Sequence, residues 1–174
     1  MMKKILRNNR GITLISLGIT IIVLIIITNV LILNVRENLN VKKLYNLEND
    51  IQILRSRVLD YYSDYGTFPI NKEWKYENDA KIQEMKNADV VSEAVDIGDF
   101  YVLDLAAMEN LTLSYGKDYE KYKNGESVVD AKDIYIINET SGNVFYANGI
   151  TVDNETFYTD YRKGDTVPVD IIND

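Results

Sequence analysis

Twenty-five successive residues, Gly11 to Val35 counted inclusively, carry no charged side chain. Wound as a helix at about 1.5 Å per residue, the run reaches ~37 Å, longer than the ~30 Å hydrocarbon core of a bilayer. It is built of Ile, Leu and Val, and its polar members include Thr13, Ser16, Thr20, Thr28 and Asn29. A hydroxyl can bond to a carbonyl one turn back, so Ser and Thr cost little in lipid. Lys3, Lys4, Arg7 and Arg10 precede the run and no acid does. The basic stub is therefore expected in the cytoplasm, and the C-terminal body outside it. An ordinary secretory signal has an apolar stretch of about 7–15 residues followed by a small-residue cleavage site. This run is longer, and Asn34-Val35-Arg36 offers no such site. A plain signal anchor fits the hydropathy as well as a processed segment does.

Charge separates the two ends. The chain carries 19 basic and 27 acidic residues, a net -8. Removing the four bases ahead of Gly11 leaves 15 against 27, so the remainder stands at -12. An acidic body repels phosphate backbones, and no nucleic-acid partner is expected. The chain holds no cysteine and no histidine. Disulfides and thiolate metal sites are excluded, and the commonest general base and metal ligand are missing. No phosphate loop, zinc signature or nucleophile elbow occurs, so no enzyme is expected.

Beyond Arg36 the apolar residues Leu44, Leu47, Ile51, Leu54 and Val58 recur at steps of 3, 4, 3 and 4, one stripe along a helix. Tyr61 and Tyr65 extend the spacing. Lys42, Lys43, Glu48, Asp50, Arg55 and Arg57 between them suit the wet face. No Pro or Gly interrupts residues 19–65, so one helix over about 13–64 is the simplest reading. A free coiled coil over 36–65 is the competing one, although the stripe spans only about three heptads. Gly66 is placed for a left-handed cap and Pro69 blocks resumption. The tyrosines before them are expected to wedge the helix end against a sheet.

The junction Asn8-Asn9-Arg10-Gly11-Ile12-Thr13-Leu14-Ile15-Ser16 resembles the signal of type IV prepilins and type II secretion pseudopilins. In that family a short basic leader ends in Gly, and Phe-Thr-Leu-Ile-Glu opens an uninterrupted apolar helix. The resemblance implies a leader at 1–11, cut by a prepilin peptidase between Gly11 and Ile12, and N-methylation of Ile12. It implies a helix whose 12–35 half spans the membrane and whose 36–65 half packs outside it. It further implies an α+β, pilin-like fold, other pilin or pseudopilin subunits as partners, and an inner-membrane assembly platform with its ATPase. The protein would sit in the cell membrane as a single pass, C-terminal domain outward, and reach the bacterial surface in a filament. Ile12 stands where the family has Phe. Ser16 stands at the fifth mature position, where the family's Glu is thought to pair with a neighbour's N-terminal amine. A hydroxyl supplies no negative charge, so Ser16 favours a minor subunit or a tip pseudopilin over a repeating major one. The reading from another class is a surface binding module on a permanent anchor that never polymerises.

The rest of the chain reads as a variable region at 66–98 and an antiparallel sheet domain at 99–174. Residues 70–98 suggest a loop with a short helix at 79–87. Phe100–Leu103 reads as a strand. Asp104 is placed to cap a short helix over Leu105–Asn110, Leu111–Ser114 as a return in extended form, and Lys117–Gly125 as a polar surface loop. Ile134–Ile137 and Asn143–Tyr146 flank Glu139-Thr140-Ser141-Gly142 as a hairpin. Gly149–Val152 and Thr156–Thr159 flank the turn Asp153-Asn154-Glu155 as a second. Consecutive hairpins imply a meander, one face on the helix and one facing out. Asp153, Glu155, Asp160, Asp165 and Asp170 raise calcium, which needs six to eight oxygens around one point. No EF-hand spacing is present, and a solvated acidic surface is the expectation.

Overall fold

Helix α1 spans Arg10–Tyr65 in the computed structural model, which describes residues 10–125 and 131–160, and side chains at 17–28, 39–125 and 131–160. The chain divides into two compact units between Val41 and Lys42. In the first, the described residues belong to α1 alone. Thr28 Oγ1 donates to the Leu24 carbonyl at 2.7 Å, the one-turn-back bond that lets a hydroxyl sit in an aliphatic helix.

In the second unit the expected stripe is the buried face of α1. Leu47, Ile51, Leu54 and Val58 are fully buried, with Leu44 and Tyr61 packed at the margins. Burying one such side chain is worth about 1.5–3 kcal/mol, so these four dominate the docking of the helix. Tyr65 departs from the stripe: it is 68% exposed and only leans on Tyr61, ring centroids 4.5 Å apart. Tyr62 does the wedging, 4.9 Å from the ring of buried Phe68. Gly66 ends the helix at φ +67, its N–H donating to the Tyr62 carbonyl at 2.8 Å. An L side chain is strained at that angle, which is why glycine holds the cap.

Four antiparallel strands follow, in the order β1 (Ile70–Lys75), β2 (Phe100–Leu103), β3 (Tyr135–Asn138) and β4 (Val144–Tyr146). Ile136 pairs with Val102 on one side and Phe145 on the other. The β3–β4 hairpin forms where the sequence places it. Strand β1 occupies part of the stretch read as loop. Its sequence, Ile-Asn-Lys-Glu-Trp-Lys, has little alternation because it is an edge strand with an irregular register against β2. Helix α2 (Asp79–Asn87) matches the expected short helix and is capped by the Asn78 side chain accepting from Lys81 N.

The second hairpin, β5 (Ile150–Val152) with β6 (Glu155–Phe157), is a separate two-stranded sheet and does not extend the meander. Its turn has two residues, since Glu155 already belongs to β6. Asp153 and Asn154 take φ +50 and +68, the mirror-image turn that follows the twist of a hairpin. Gly149 precedes it at φ +69, where a Cβ would lie 2.5 Å from Thr156 Cγ2.

Both faces of the main sheet are covered, which corrects the outward-facing side. Tyr101, Leu103, Tyr135, Ile137 and Val144 meet the α1 stripe. Phe100, Val102, Ile134, Ile136 and Phe145 form a second core with Met85 of α2, Val90, Val91 and Tyr119. Every residue of β2, β3 and β4 is therefore buried, as in a sheet clad on both sides. Tyr119 belongs to helix α3 (Tyr119–Lys123), inside the stretch read as surface loop. Asp104 does cap, accepting from Ala106 N at 3.1 Å, but over a 3-10 turn of Leu105–Ala107 rather than a helix to Asn110. Leu111–Ser114 forms no strand.

If the stripe carries the docking, Leu54→Ala will cost about 2–5 kcal/mol in chemical denaturation of the full chain in detergent. Leu59→Ala, on the exposed side of the same helix, will cost well under 1 kcal/mol. Similar losses at the two positions would reject this orientation of α1.

Candidate functional site

Residues 17–28 of α1 present aliphatic side chains in every direction. Leu17, Ile19, Ile21, Ile22, Val23, Leu24, Ile25, Ile26 and Ile27 are all 45–59% exposed. Seven successive residues at ~100° each pass around the helix almost twice, so 21–27 leave no polar side for water. A folded soluble surface rarely shows so continuous an apolar area without covering it. The described stretch is twelve residues, counted inclusively, or about 18 Å of helix. Among the described residues no helix is long and apolar enough to cross a membrane. The uncharged run continues on both sides of 17–28 into positions whose side chains lie outside the described residues.

The junction residues fall in those positions. Gly11, Ile12 and Ser16 lie in the first two turns of α1, and Arg10 is its first residue; their side chains are outside the described set. Lys3, Lys4 and Arg7 are outside the described residues altogether. The backbone from Arg10 through Ser16 is helical.

The described calcium candidates, Asp153, Glu155 and Asp160, are not gathered into a metal site. Asp153 is in the β5–β6 turn and Glu155 in β6. Asp160 is held by Arg55, whose two terminal nitrogens donate to Oδ2 and Oδ1 at 2.9 and 2.8 Å. Such a bidentate fork is geometrically specific and occupies both carboxylate oxygens. Asp165 and Asp170 lie outside the described residues. Among the described residues, no group of three or more acids is placed to hold a metal ion.

Asp50 is the residue that the wet-face expectation misplaces. It is fully buried, and its Oδ2 accepts from Ser114 N at 2.8 Å, Tyr115 N at 3.1 Å and the Tyr135 hydroxyl at 2.7 Å. Its Oδ1 is buried and has no partner. One helical carboxylate thus ties α1 both to β3 and to the 114–115 backbone. Burial, and after it the Asp50 bond, pushes the Tyr135 phenol above its usual range, so it stays a donor. Burial raises Tyr115 as well, with the charge of Asp50 second. A signal was present in the sequence: position 50 is three after Leu47 and four before Leu54, the spacing of the stripe itself.

Two further carboxylates continue the clamp. Asp133 Oδ1 accepts from Gly116 N at 2.6 Å and the Tyr146 hydroxyl at 3.1 Å. Asp118 Oδ2 accepts from Lys132 N and Asp133 N, both at 3.1 Å. A bond from the Lys121 ammonium, joined by the Asp133 amide, holds the Asp118 carboxyl below its ordinary value. Buried Asp96 accepts from Ser141 Oγ at 2.7 Å, Asn143 Nδ2 at 2.9 Å and Ser92 N at 2.8 Å, tying the β3–β4 turn to the 92–96 loop. In a chain with no cysteine, these aspartates staple the long connections.

No family model, curated protein or solved structure matches the chain.

Asp50→Ala strands three donors, at about 1–3 kcal/mol for each that stays buried and unpaired. Tyr135→Phe removes one donor and leaves Oδ2 its two amide bonds, so it will cost less. Denaturant midpoints of the two variants check this order, and the reverse order would remove Asp50 from the centre of the clamp.

Proposed function

We propose that this chain is a structural subunit of a type IV pilus-like or type II secretion-like filament, made as a prepilin and serving as a minor pilin or pseudopilin. The observation that carries the proposal is the division of labour along α1. Its 44–58 stretch buries one stripe on an antiparallel sheet, while its 17–28 stretch exposes aliphatic side chains on all sides. A surface of the second kind needs lipid or other helices around it. The junction at Gly11 and Ile12 supports the same reading, as does the helix-on-sheet α+β architecture.

In this reading a prepilin peptidase removes the basic leader, Ile12 becomes a methylated N-terminus, and the 12–35 helix spans the membrane with the sheet domain outside. Assembly then moves that helix from lipid into a bundle of neighbouring pilin helices. Apolar burial is worth about 25 cal/mol per Å2 against water but far less against lipid, so the hydrophobic effect alone does not drive the transfer. A membrane platform and its cytoplasmic ATPase supply the work. The role is mechanical, and no catalytic step is assigned to the chain.

Ser16 bears on the type of subunit. Without a carboxylate at the fifth mature position, no ion pair forms with a neighbour's amine, and repeated incorporation is disfavoured.

Two measurements test these statements. Sequencing the N-terminus of the cellular protein in a strain with active prepilin peptidase will find N-methylated Ile12. A chain that keeps its leader through Arg10 would instead make the protein a permanently anchored surface module. Restoring the charge with Ser16→Glu will raise the number of copies per filament severalfold. An unchanged stoichiometry would remove the case for a minor role.

A further inference from the structure

A groove of about 400 Å3 opens on the sheet domain beside the 105–123 segment. Leu105, Met108, Leu111 and Leu113 form its apolar part, and Lys117 and Lys123 line it as well. Both lysines are exposed and make no ion pair among the described residues, and Glu120 is the one acid in the lining. Lys121 is not counted with them, because it pairs with Asp118 at 2.7 Å. Tyr115, also in the lining, donates its hydroxyl to the Lys43 carbonyl at 3.1 Å. One side of the groove therefore touches the Lys43 backbone near the start of the second unit, where Lys42 and Lys43 are exposed. Two lysines beside leucine side chains, with Lys42 and Lys43 exposed on the nearby turn of α1, stand out on a chain of net charge -8.

We propose that this groove rests on an anionic phospholipid surface while the chain is anchored in the bilayer. The inference rests on the anchored reading given above. Lys43 is eight residues beyond Val35, the end of the uncharged run. That is about 12 Å as helix and at most ~28 Å fully extended. The groove is thus tethered within reach of the headgroups, whose field decays over a Debye length of ~10 Å at 0.1 M salt. Lysines at that distance are drawn to anionic lipid, and the leucines beside them can enter the headgroup boundary, as in other interfacial segments. The rest of the domain, being acidic, is repelled from the same surface. One corner is therefore turned toward the bilayer until the helix is withdrawn from it.

The chain has no cysteine, so single cysteines can carry a fluorescent label. The full chain labelled at Leu111→Cys is reconstituted into vesicles of phosphatidylcholine alone, or with about a quarter phosphatidylglycerol, each containing a spin-labelled quenching lipid. Quenching at 111 is expected to be at least twofold stronger with phosphatidylglycerol. Lys117→Glu with Lys123→Glu will reduce it to the neutral-vesicle level, and so will raising salt on the unmutated lysines from about 0.05 to 0.5 M. A label at Tyr65→Cys, 22 residues beyond Lys43 along α1, will not respond. Quenching at 111 that is absent, or that ignores lipid charge and salt, overturns the proposal. A label at Ile25→Cys separates the two layers of the argument. If it is quenched and 111 is not, only the groove assignment fails; if it is not quenched, the anchored reading fails and takes the groove with it.

Discussion

The fold of the second unit depends on α1 delivering two things to one place, an apolar stripe and a single carboxylate. Leu47, Ile51, Leu54 and Val58 supply most of the free energy, but apolar burial has no direction and tolerates sliding. Asp50 has direction. Its three bonds to Ser114, Tyr115 and Tyr135 admit one rotation and one height of the helix against β3. Arg55 adds a second fixed point through its fork to Asp160. The stripe holds the helix on the sheet, and the polar pair sets where.

Because the sheet is clad on both faces, what this domain offers to partners is made of helices, loops and one strand edge. Strand β4 does not present a free edge, since Tyr146 N donates to the Tyr158 carbonyl and Thr159 Oγ1 reaches the Val144 carbonyl. Among the described residues, strand β1 is the open side. It is guarded by its irregular register and by Lys72 and Lys75, which pair with Glu139 and Asp99. Charged, irregular edges resist unplanned strand addition. That protection matters for a protein that presents long apolar helix surface and is proposed to assemble through it.

Aspartate carries the tasks that disulfides perform in many exported domains. Asp50, Asp96, Asp118 and Asp133 each accept at least two bonds from groups distant in the chain or across a turn. Unlike a covalent bridge, such a staple needs no oxidising compartment. Its drawback is the desolvation of a carboxylate, visible at the unpaired Oδ1 of Asp50.

Local pattern determined much of this protein. The 3-4 spacing of Leu44 to Val58, the absence of Pro and Gly from 19 to 65 and the cap at Gly66 were enough to place α1 within a few residues. Helix α2, strand β2 and the β3–β4 hairpin were equally legible, because each is set by neighbours a few positions apart. The uncharged run and its Gly11-Ile12 junction remain statements of sequence. Tertiary structure decided the rest. Asp50 reads as solvated until its donors, 64 to 85 residues away, are folded against it. Strand β1 lacks a pattern of its own and exists because β2 pairs with it. The β5–β6 hairpin looks like a continuation of the meander but is a separate sheet, since β4 is closed by the Tyr158 carbonyl and the Thr159 hydroxyl. The outer sheet face is buried because α2, Val90, Val91 and Tyr119 converge on it from distant parts of the chain. Periodicity records which side of an element is apolar; which partner meets that side depends on contacts between residues far apart in sequence.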